Sequence, residues 1–321
     1  MKLTPEVFGQ RSVLVVGDIM LDRYIWGDVR RISPEAPVPV VSVRRETFTA
    51  GGAGNLALNL AALGLSCELF GIIGDDAHGS IVANLLRKGR IAVDERLVRP
   101  GVSTITKTRI IAQRQQVCRL DEESRPETYD IAGEELLNIL ADRVKAHDLV
   151  VLSDYAKGVI SQPAIDIIRG ARATRPSFIA MDPKPVRLLD VSGFDLLTPN
   201  HAEALQLAGL SPESGVDLKI VIDRIMARYA PKILVVTMGE EGMMLRTRSG
   251  IDGHFPTAAR EVADVSGAGD TVIAILAAAL AGGMPPTDAV RLANVAAGLV
   301  IAKLGTAIIS LSELREAAAT K

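Results

Sequence analysis

The sequence is poor in cysteine, poor in aromatic residues, and carries no excess of charge of either sign. Its two cysteines, Cys67 and Cys118, fit neither a disulfide framework nor a metal-ligand spacing, and a reducing cytoplasm would leave both as thiols. Aromatics make up 3% of the chain while 48% of it is hydrophobic, so the core has to be built from Ala, Val, Leu and Ile, as in helix-covered parallel sheets. Lys and Arg number 36 against 38 Asp and Glu, and the net charge of -2 offers no general attraction to nucleic acid or to an anionic membrane. An anion site therefore has to be local. No apolar run reaches the ~20 residues of a membrane span, and the opening MKLTPEVFGQRS lacks the apolar stretch of a signal peptide. A soluble, cytoplasmic protein with no nucleic-acid or membrane partner is expected. Nor is there an internal repeat, a low-complexity tract or a Gly/Ser linker, which points to one domain over residues 1–321.

What is present is an alternation. The β-branched runs SVLVVGD, ELFGIIG, DLVVLSD, SFIAMDP, DLLTPN and KILVVTMG are separated by helical patterns, the order of βαβ units. The expected fold class is α/β, with a central, mostly parallel sheet flanked by helices. Two segments break the rhythm. PEAPVPVVSV from Pro34 is proline-punctuated and then extended, and VSTITKTRIIAQRQQVCRL from Val102 alternates apolar and polar residues about a polar turn, as a hairpin does. Together they predict a small β lid built from segments at about 23–48 and about 99–121. The alternating TITKTRII presents a sheet edge and an apolar face that a small lid hardly buries, so a homodimer pairing lid strands of two chains is expected.

Ligands of open parallel sheets bind beyond the carboxyl ends of the strands, and the unusual polar residues stand there. VLVVG runs into Asp18, VVLS into Asp154, FIAM into Asp182 with Lys184 beyond, DLLTP into Asn200, and ILVV into Thr237 and Gly239. Any one of these could be a cap or a turn residue; five polar strand ends suggest one shared rim. Asn200 and Glu203 admit two readings at once. N-x-x-E after a proline is a capping box, and a Glu so held can also hold waters of a magnesium ion, which keeps much of its water shell.

In DVSGAGDTVIAILAAAL, from Asp264, Gly267 and Gly269 let backbone amides turn toward an anion at the start of a helix, whose dipole adds to the attraction. Such a hole stabilises a phosphoryl group in flight. Asp270 then lies where an attacking hydroxyl must lose its proton, and is either a general base or a complement to the helix dipole. A second cluster, TAGGAGNLALNLAALG from Thr49, matches a dinucleotide G-x-G-x-x-A but does not follow the first βα turn. Asn55 and Asn59 fit sugar hydroxyls better, or a tightly packed helix start.

GGAGNLALNLAALG followed by DVSGAGDT on an α/β pattern resembles the ribokinase-like (PfkB) carbohydrate kinases over essentially the whole chain. TPNHAEA and VVTMGEEG are similar to that family's magnesium-associated and nucleotide-loop segments. GDIMLDRYIWGDVRRISPEAPVPVV and TKTRIIAQRQQVCRLD resemble one branch, the heptose 7-phosphate kinases of lipopolysaccharide core biosynthesis. The resemblance implies transfer of phosphate from ATP to the anomeric hydroxyl of D-glycero-D-manno-heptose 7-phosphate. It implies Asp270 as base with Gly267, Ala268 and Gly269 as anion hole, and Asn200 and Glu203 organising Mg²⁺. Thr237, Gly239, Asp264 and Asn294 would lie around ATP, and Asp18, Gly51, Gly52 and Asn55 would hold sugar hydroxyls. Lys107, Arg109 and Arg119 of the lid are the candidates for the 7-phosphate, with Asp154 also on the substrate side and Lys184 able to serve either phosphate. The chain departs from the family's usual D-T-x-G-A-G-D at Val265, and has Val272 where Phe is common. Without a fused nucleotidyltransferase segment it is expected to be a stand-alone kinase. The competing readings are another sugar or nucleoside kinase of the family, a dinucleotide-dependent oxidoreductase, and a non-catalytic sugar-phosphate sensor.

Overall fold

The structure is a computed structural model that describes residues 8–113, 115–211, 213–257, 264–303 and 305–319. Strand β1 (Ser12–Gly17) sets the layering: Val13 and Val15 enter one hydrophobic layer, Leu14 and Val16 the other, because successive strand side chains face opposite sides. It lies between β4 (Ser66–Phe70) and β9 (Leu149–Ser153), and the parallel run continues through β10 (Phe178–Asp182), β11 (Leu196–Leu197) and β12 (Ile233–Thr237). Two antiparallel strands, β13 (Met243–Thr247) and β14 (Asp252–Phe255), close the edge. The six runs read from the sequence are the six parallel strands.

One face of this sheet is covered by α1 (Ala53–Ala62), α2 (Ala77–Lys88), α7 (Ala268–Ala281), α8 (Pro286–Ile301) and α9 (Leu311–Ala319). The other carries α3 (Glu134–Ala146), α4 (Gln162–Thr174), α5 (His201–Leu207) and α6 (Leu218–Tyr229). Helix α7 is apolar on every side and therefore lies inside, with every residue from Asp270 to Leu280 buried. Among the described residues no helix is long and apolar enough to cross a membrane.

The second sheet is built from the segments expected to form a lid, in the order β3 (Pro39–Gly52), β2 (Ile19–Ile32), β7 (Ile105–Ala112), β8 (Gln115–Glu122); a short ladder of β5 (Ile73–Gly74) with β6 (Val98–Arg99) stands apart. The lid strands reach further into the body than the expected 23–48. β2 starts at Ile19 and β3 ends at Gly52, each 14 residues long, because the chain leaves β1 and continues extended after the single residue Asp18. Arg114, in the turn of the second lid segment, lies outside the described residues, as do residues 1–7 of the opening stretch.

Candidate active site

Helix α7 opens on Gly267 at φ 78°, a left-handed conformation that favours glycine. A Cβ at this position would also stand 2.8 Å from Asn55 Nδ2. The amide of Ala268 turns back to Val265 O at 3.2 Å and that of Thr271 to Gly267 O at 3.1 Å. Among the described residues, the orphan donors of the first turn are therefore Gly269 and Asp270. Of the anion hole expected from Gly267, Ala268 and Gly269, the Ala268 amide is engaged within the turn, while the amides of Gly269 and of the next residue, Asp270, are open.

Asp270 is 2% exposed. Its Oδ2 accepts from Asn55 Nδ2 at 2.8 Å and its Oδ1 from the phenol of Tyr155 at 2.9 Å. Burial pushes its carboxyl up to about 7, against the opposing pull of those two hydrogen bonds. The Asn55 carboxamide is itself oriented, since its Oδ1 accepts from Asn59 Nδ2 at 3.2 Å, leaving the NH₂ for Asp270. Thr271 Oγ1 in turn donates to Asn59 Oδ1 at 3.3 Å, so the glycine-rich helix α1 and the GAGD helix α7 are bound through one polar chain inside the apolar layer. Burial, and then the neighbouring Asp270, holds the Tyr155 phenol well above the usual tyrosine range, so it remains a donor.

The sequence pattern points to Asp154 but carries no signal for its neighbour Tyr155. Asp18 requires the opposite correction. Its carboxylate has no exposure and accepts the amides of Tyr155 at 2.9 Å, Lys157 at 3.1 Å and Val159 at 3.1 Å, so it is engaged in bracing the 155–159 loop. Burial still raises its carboxyl, those backbone bonds opposing. The carboxylate on the site side is Asp22, four residues along β2, paired with Arg109 of β7 and close enough to add to the charge felt by Asp270. Gly51 lies against it, and a Cβ there would stand 2.4 Å from Asp22 Oδ2. Gly52 ends β3 and caps α1. Asp264 is likewise corrected. Its oxygens accept Ser266 N at 2.9 Å and Gly305 N at 3.0 Å, which fastens the approach to α7, and it is Val265 that lines the neighbouring groove.

Two cavities meet at Gly269. One, of about 470 Å³, runs along Thr237, Gly239, Val265, Asn294 and Ala297 between β12 and α8, with the mixed apolar and polar walls a nucleotide requires. Asn294 lines it and fastens the backbone carbonyl of Pro256. The other, of about 210 Å³, is lined by Asp154, Tyr155, Asp182, Lys184, Asn200 and Glu203. Thr237, Gly269 and Val272 border both, so the small Val272 stands at the passage between them. The capping box is present as read: Asn200 Oδ1 accepts Glu203 N at 2.9 Å and Glu203 Oε2 accepts Asn200 N at 2.9 Å, while Lys184 Nζ lies 2.8 Å from Glu203 Oε1. Burial pushes Asp154 up to about 6, with added repulsion from Asp18, and raises Asp182 well above the carboxylate range, with Glu203 and Asp270 adding to it.

Among the described residues no set of three His, Cys, Asp or Glu forms a metal cage. The donor chemistry of the smaller cavity nevertheless fits a hydrated divalent ion. Among the described residues the Asp182 carboxylate accepts from Thr198 alone, at 3.2 Å, and crowded, desolvated carboxylates are relieved by a hard cation that takes few protein ligands. Because the capping box and Lys184 hold Glu203 and Asn200, Asp182 is the stronger candidate for contact with such an ion.

On the lid, residues paired across strands share a face. Asp22, Thr49, Lys107 and Asp121 form one rung, and Tyr24, Thr47, Arg109 and Arg119 the next. The three cations expected to meet a phosphate do share this inner face, but each already has a carboxylate: Lys107 with Asp121 at 3.4 Å, Arg119 with Asp121 at 2.8 Å, Arg109 with Asp22.

A helix N-terminus with open amides, a buried carboxylate beside it, a nucleotide-sized groove and a second sheet that brings Asp22 close to that carboxylate define an ATP-dependent carbohydrate kinase. The chain belongs to the pfkB family of carbohydrate kinases, whose model matches residues 10–313. It is 41% identical over 316 residues to the bifunctional protein HldE of Trichlorobacter lovleyi, covering 98% of this chain and 64% of that one. It is 45% identical over 318 residues to the bifunctional protein HldE of Halorhodospira halophila, covering 98% of this chain and 65% of that one. The chain thus spans just under two thirds of these relatives. Among solved structures, Arabidopsis thaliana ribokinase complexed with ribose and ATP superposes with a TM-score of 0.76 at 20% identity, covering 96% of this chain and 98% of that one. Escherichia coli phosphofructokinase-2 in complex with potassium gives 0.77 at 17%, covering 97% and 99%. These two share the ribokinase-like fold, and the family excludes the dinucleotide-dependent oxidoreductase that GAGNLA alone allowed.

Proposed function

We propose that the protein transfers the γ-phosphoryl group of ATP to the anomeric hydroxyl of D-glycero-D-manno-heptose 7-phosphate, a cytoplasmic step toward ADP-heptose and the lipopolysaccharide core. The observation that carries the reaction is Asp270, buried beside the open amides of Gly269 and Asp270 at the start of α7. The acceptor reading is supported by the branch motifs quoted above, the similarity of nearly the whole of this chain to part of the HldE proteins, and the cations that share one lid face.

Asp270 takes the proton of the attacking hydroxyl. Asn55 holds Oδ2, and the incoming hydroxyl replaces the phenol of Tyr155 at Oδ1. A carboxyl near 7 is matched to this task, ionised enough to accept a proton and basic enough to draw it. As the phosphoryl group moves, its equatorial oxygens gain charge, which the first-turn amides and the α7 dipole stabilise. Asp182, with Asn200 and Glu203 through water, would hold Mg²⁺, which when bound neutralises phosphate charge. Lys184 holds Glu203 in place and presents a cation to the same cavity. Two chains pair through their lid strands.

The test is a coupled assay of ATP turnover across sugar phosphates. Turnover with heptose 7-phosphate, giving an acid-labile anomeric phosphate, is expected. Preference for a neutral sugar or nucleoside, or an acid-stable product, would replace this reading with another kinase activity of the family.

A further inference from the structure

One cation on the inner lid face stands without a carboxylate among the described residues. On the three rungs nearest the body, the cations are Lys107, Arg109, Arg119 and Arg45, and the carboxylates are Asp22 and Asp121. Four positive charges against two negative leave an excess matching a phosphate dianion. Lys107, Arg109 and Arg119 share the two carboxylates. Arg45 makes no ion pair among the described residues.

Arg45 is nevertheless held. It pairs with Trp26 across β2 and β3, and its guanidinium carbon lies 4.7 Å from the centroid of that ring, in the chain's only tryptophan. The indole is fixed in turn, since Nε1 donates to Thr47 Oγ1 at 3.0 Å and the ring stacks on Tyr24 at 6.2 Å and 20°. Arg109 lies over Tyr24 at 5.3 Å. Stacking on an aromatic face orients a guanidinium without neutralising it and leaves its fork of N–H groups for a bidentate oxyanion. Trp26 lies four residues beyond Asp22 on an extended strand, a separation on the order of 13 Å, which sets the Arg45 guanidinium at the outer end of the same lid face.

We propose that Arg45, oriented by Trp26, is the residue that selects a phosphorylated acceptor, its guanidinium taking the terminal phosphate while the far end of the sugar lies at Asp270. This rests on the acceptor reading above. It shifts the decisive phosphate contact away from Lys107, Arg109 and Arg119, each of which is already paired with Asp22 or Asp121.

The experiment compares kcat/KM for heptose 7-phosphate with that for unphosphorylated heptose, in the wild type and in Arg45→Ala, Arg45→Lys and Trp26→Leu, each checked by circular dichroism and melting. The wild type should strongly favour the phosphorylated sugar. Arg45→Ala should lower that preference about ten- to a hundredfold, the scale of one charge-assisted contact, chiefly through KM. Arg45→Lys should recover only part of it, and Trp26→Leu should lose part with the arginine intact. Competition by inorganic phosphate against the acceptor should weaken in parallel in Arg45→Ala. A folded Arg45→Ala that keeps the wild-type preference overturns the assignment to Arg45 and leaves the acceptor reading standing. A wild type that does not discriminate overturns the acceptor reading, and this inference with it.

Discussion

The phenol of Tyr155 donates to Oδ1 of Asp270 at 2.9 Å, joining the loop after β9 to the first turn of α7 across 115 residues of sequence. Tyr155→Phe removes a donor to the ionised carboxylate and should raise the proton affinity of Asp270 further. In the wild type, kcat/KM should fall as pH drops below about 7, where Asp270 becomes protonated. In Tyr155→Phe that limb should move to higher pH, with most of the lost rate recovered at the alkaline end. Parallel pH profiles that coincide would remove Tyr155 from this role.

Asp270→Asn should lower kcat at least ~10²-fold, the scale of a positioned general base. The same variant should be more stable than the wild type at pH 8. With its carboxyl raised to about 7 from 3.8, folded Asp270 binds more protons than the unfolded chain between those values, so stability falls as pH rises through that window. The amide has no such loss. The gap in melting temperature should therefore widen from pH 5 to pH 8, and a constant gap would show that Asp270 ionises normally in the folded protein.

Much of this arrangement can be read in the chain before folding. The six parallel strands stand out because β-branched runs are bounded by polar turns, and the polar rim follows from their shared direction. The i, i+2 spacing of Lys107 and Arg109 places both on one lid face. What the spacing does not reveal is the balance of charge, since Asp22 and Asp121 come from other strands and only the cross-strand register brings them together. Asp18 reads as a rim residue for a similar reason: an aspartate at a strand end marks the rim unless the chain runs on as a second strand, as it does here through Asp22. Tyr155 has no periodic signature, and its partner is remote.

Chelation of divalent cations should abolish turnover, and Asp182→Asn should raise the Mg²⁺ concentration needed for half-maximal rate several-fold while leaving the circular dichroism unchanged. Asp182 lies among Asp154, Glu203 and Asp270 with Lys184 as the cation facing the same cavity, so neutralising it removes attraction for a metal. A magnesium titration identical to that of the wild type would count against its placement near the ion.

Sedimentation at micromolar concentration should give the mass of two chains. All eight residues of β8 are exposed, an open edge that proteins ordinarily cover, and Leu120 and Cys118 alternate with the inward Arg119 and Asp121. Leu120→Glu should yield monomers. A wild type that is monomeric and fully active would rule out lid pairing.

Asp18 is the one residue between β1 of the central sheet and β2 of the lid, and the same residue grips the amides of Tyr155, Lys157 and Val159. The pivot of the flap and the anchor of the loop bearing the phenol are thus a single side chain. Any swing of the flap about that pivot is felt at the anchor, and through Tyr155 at the carboxylate that must accept the proton. Covering the sugar and preparing its base are, mechanically, one joint.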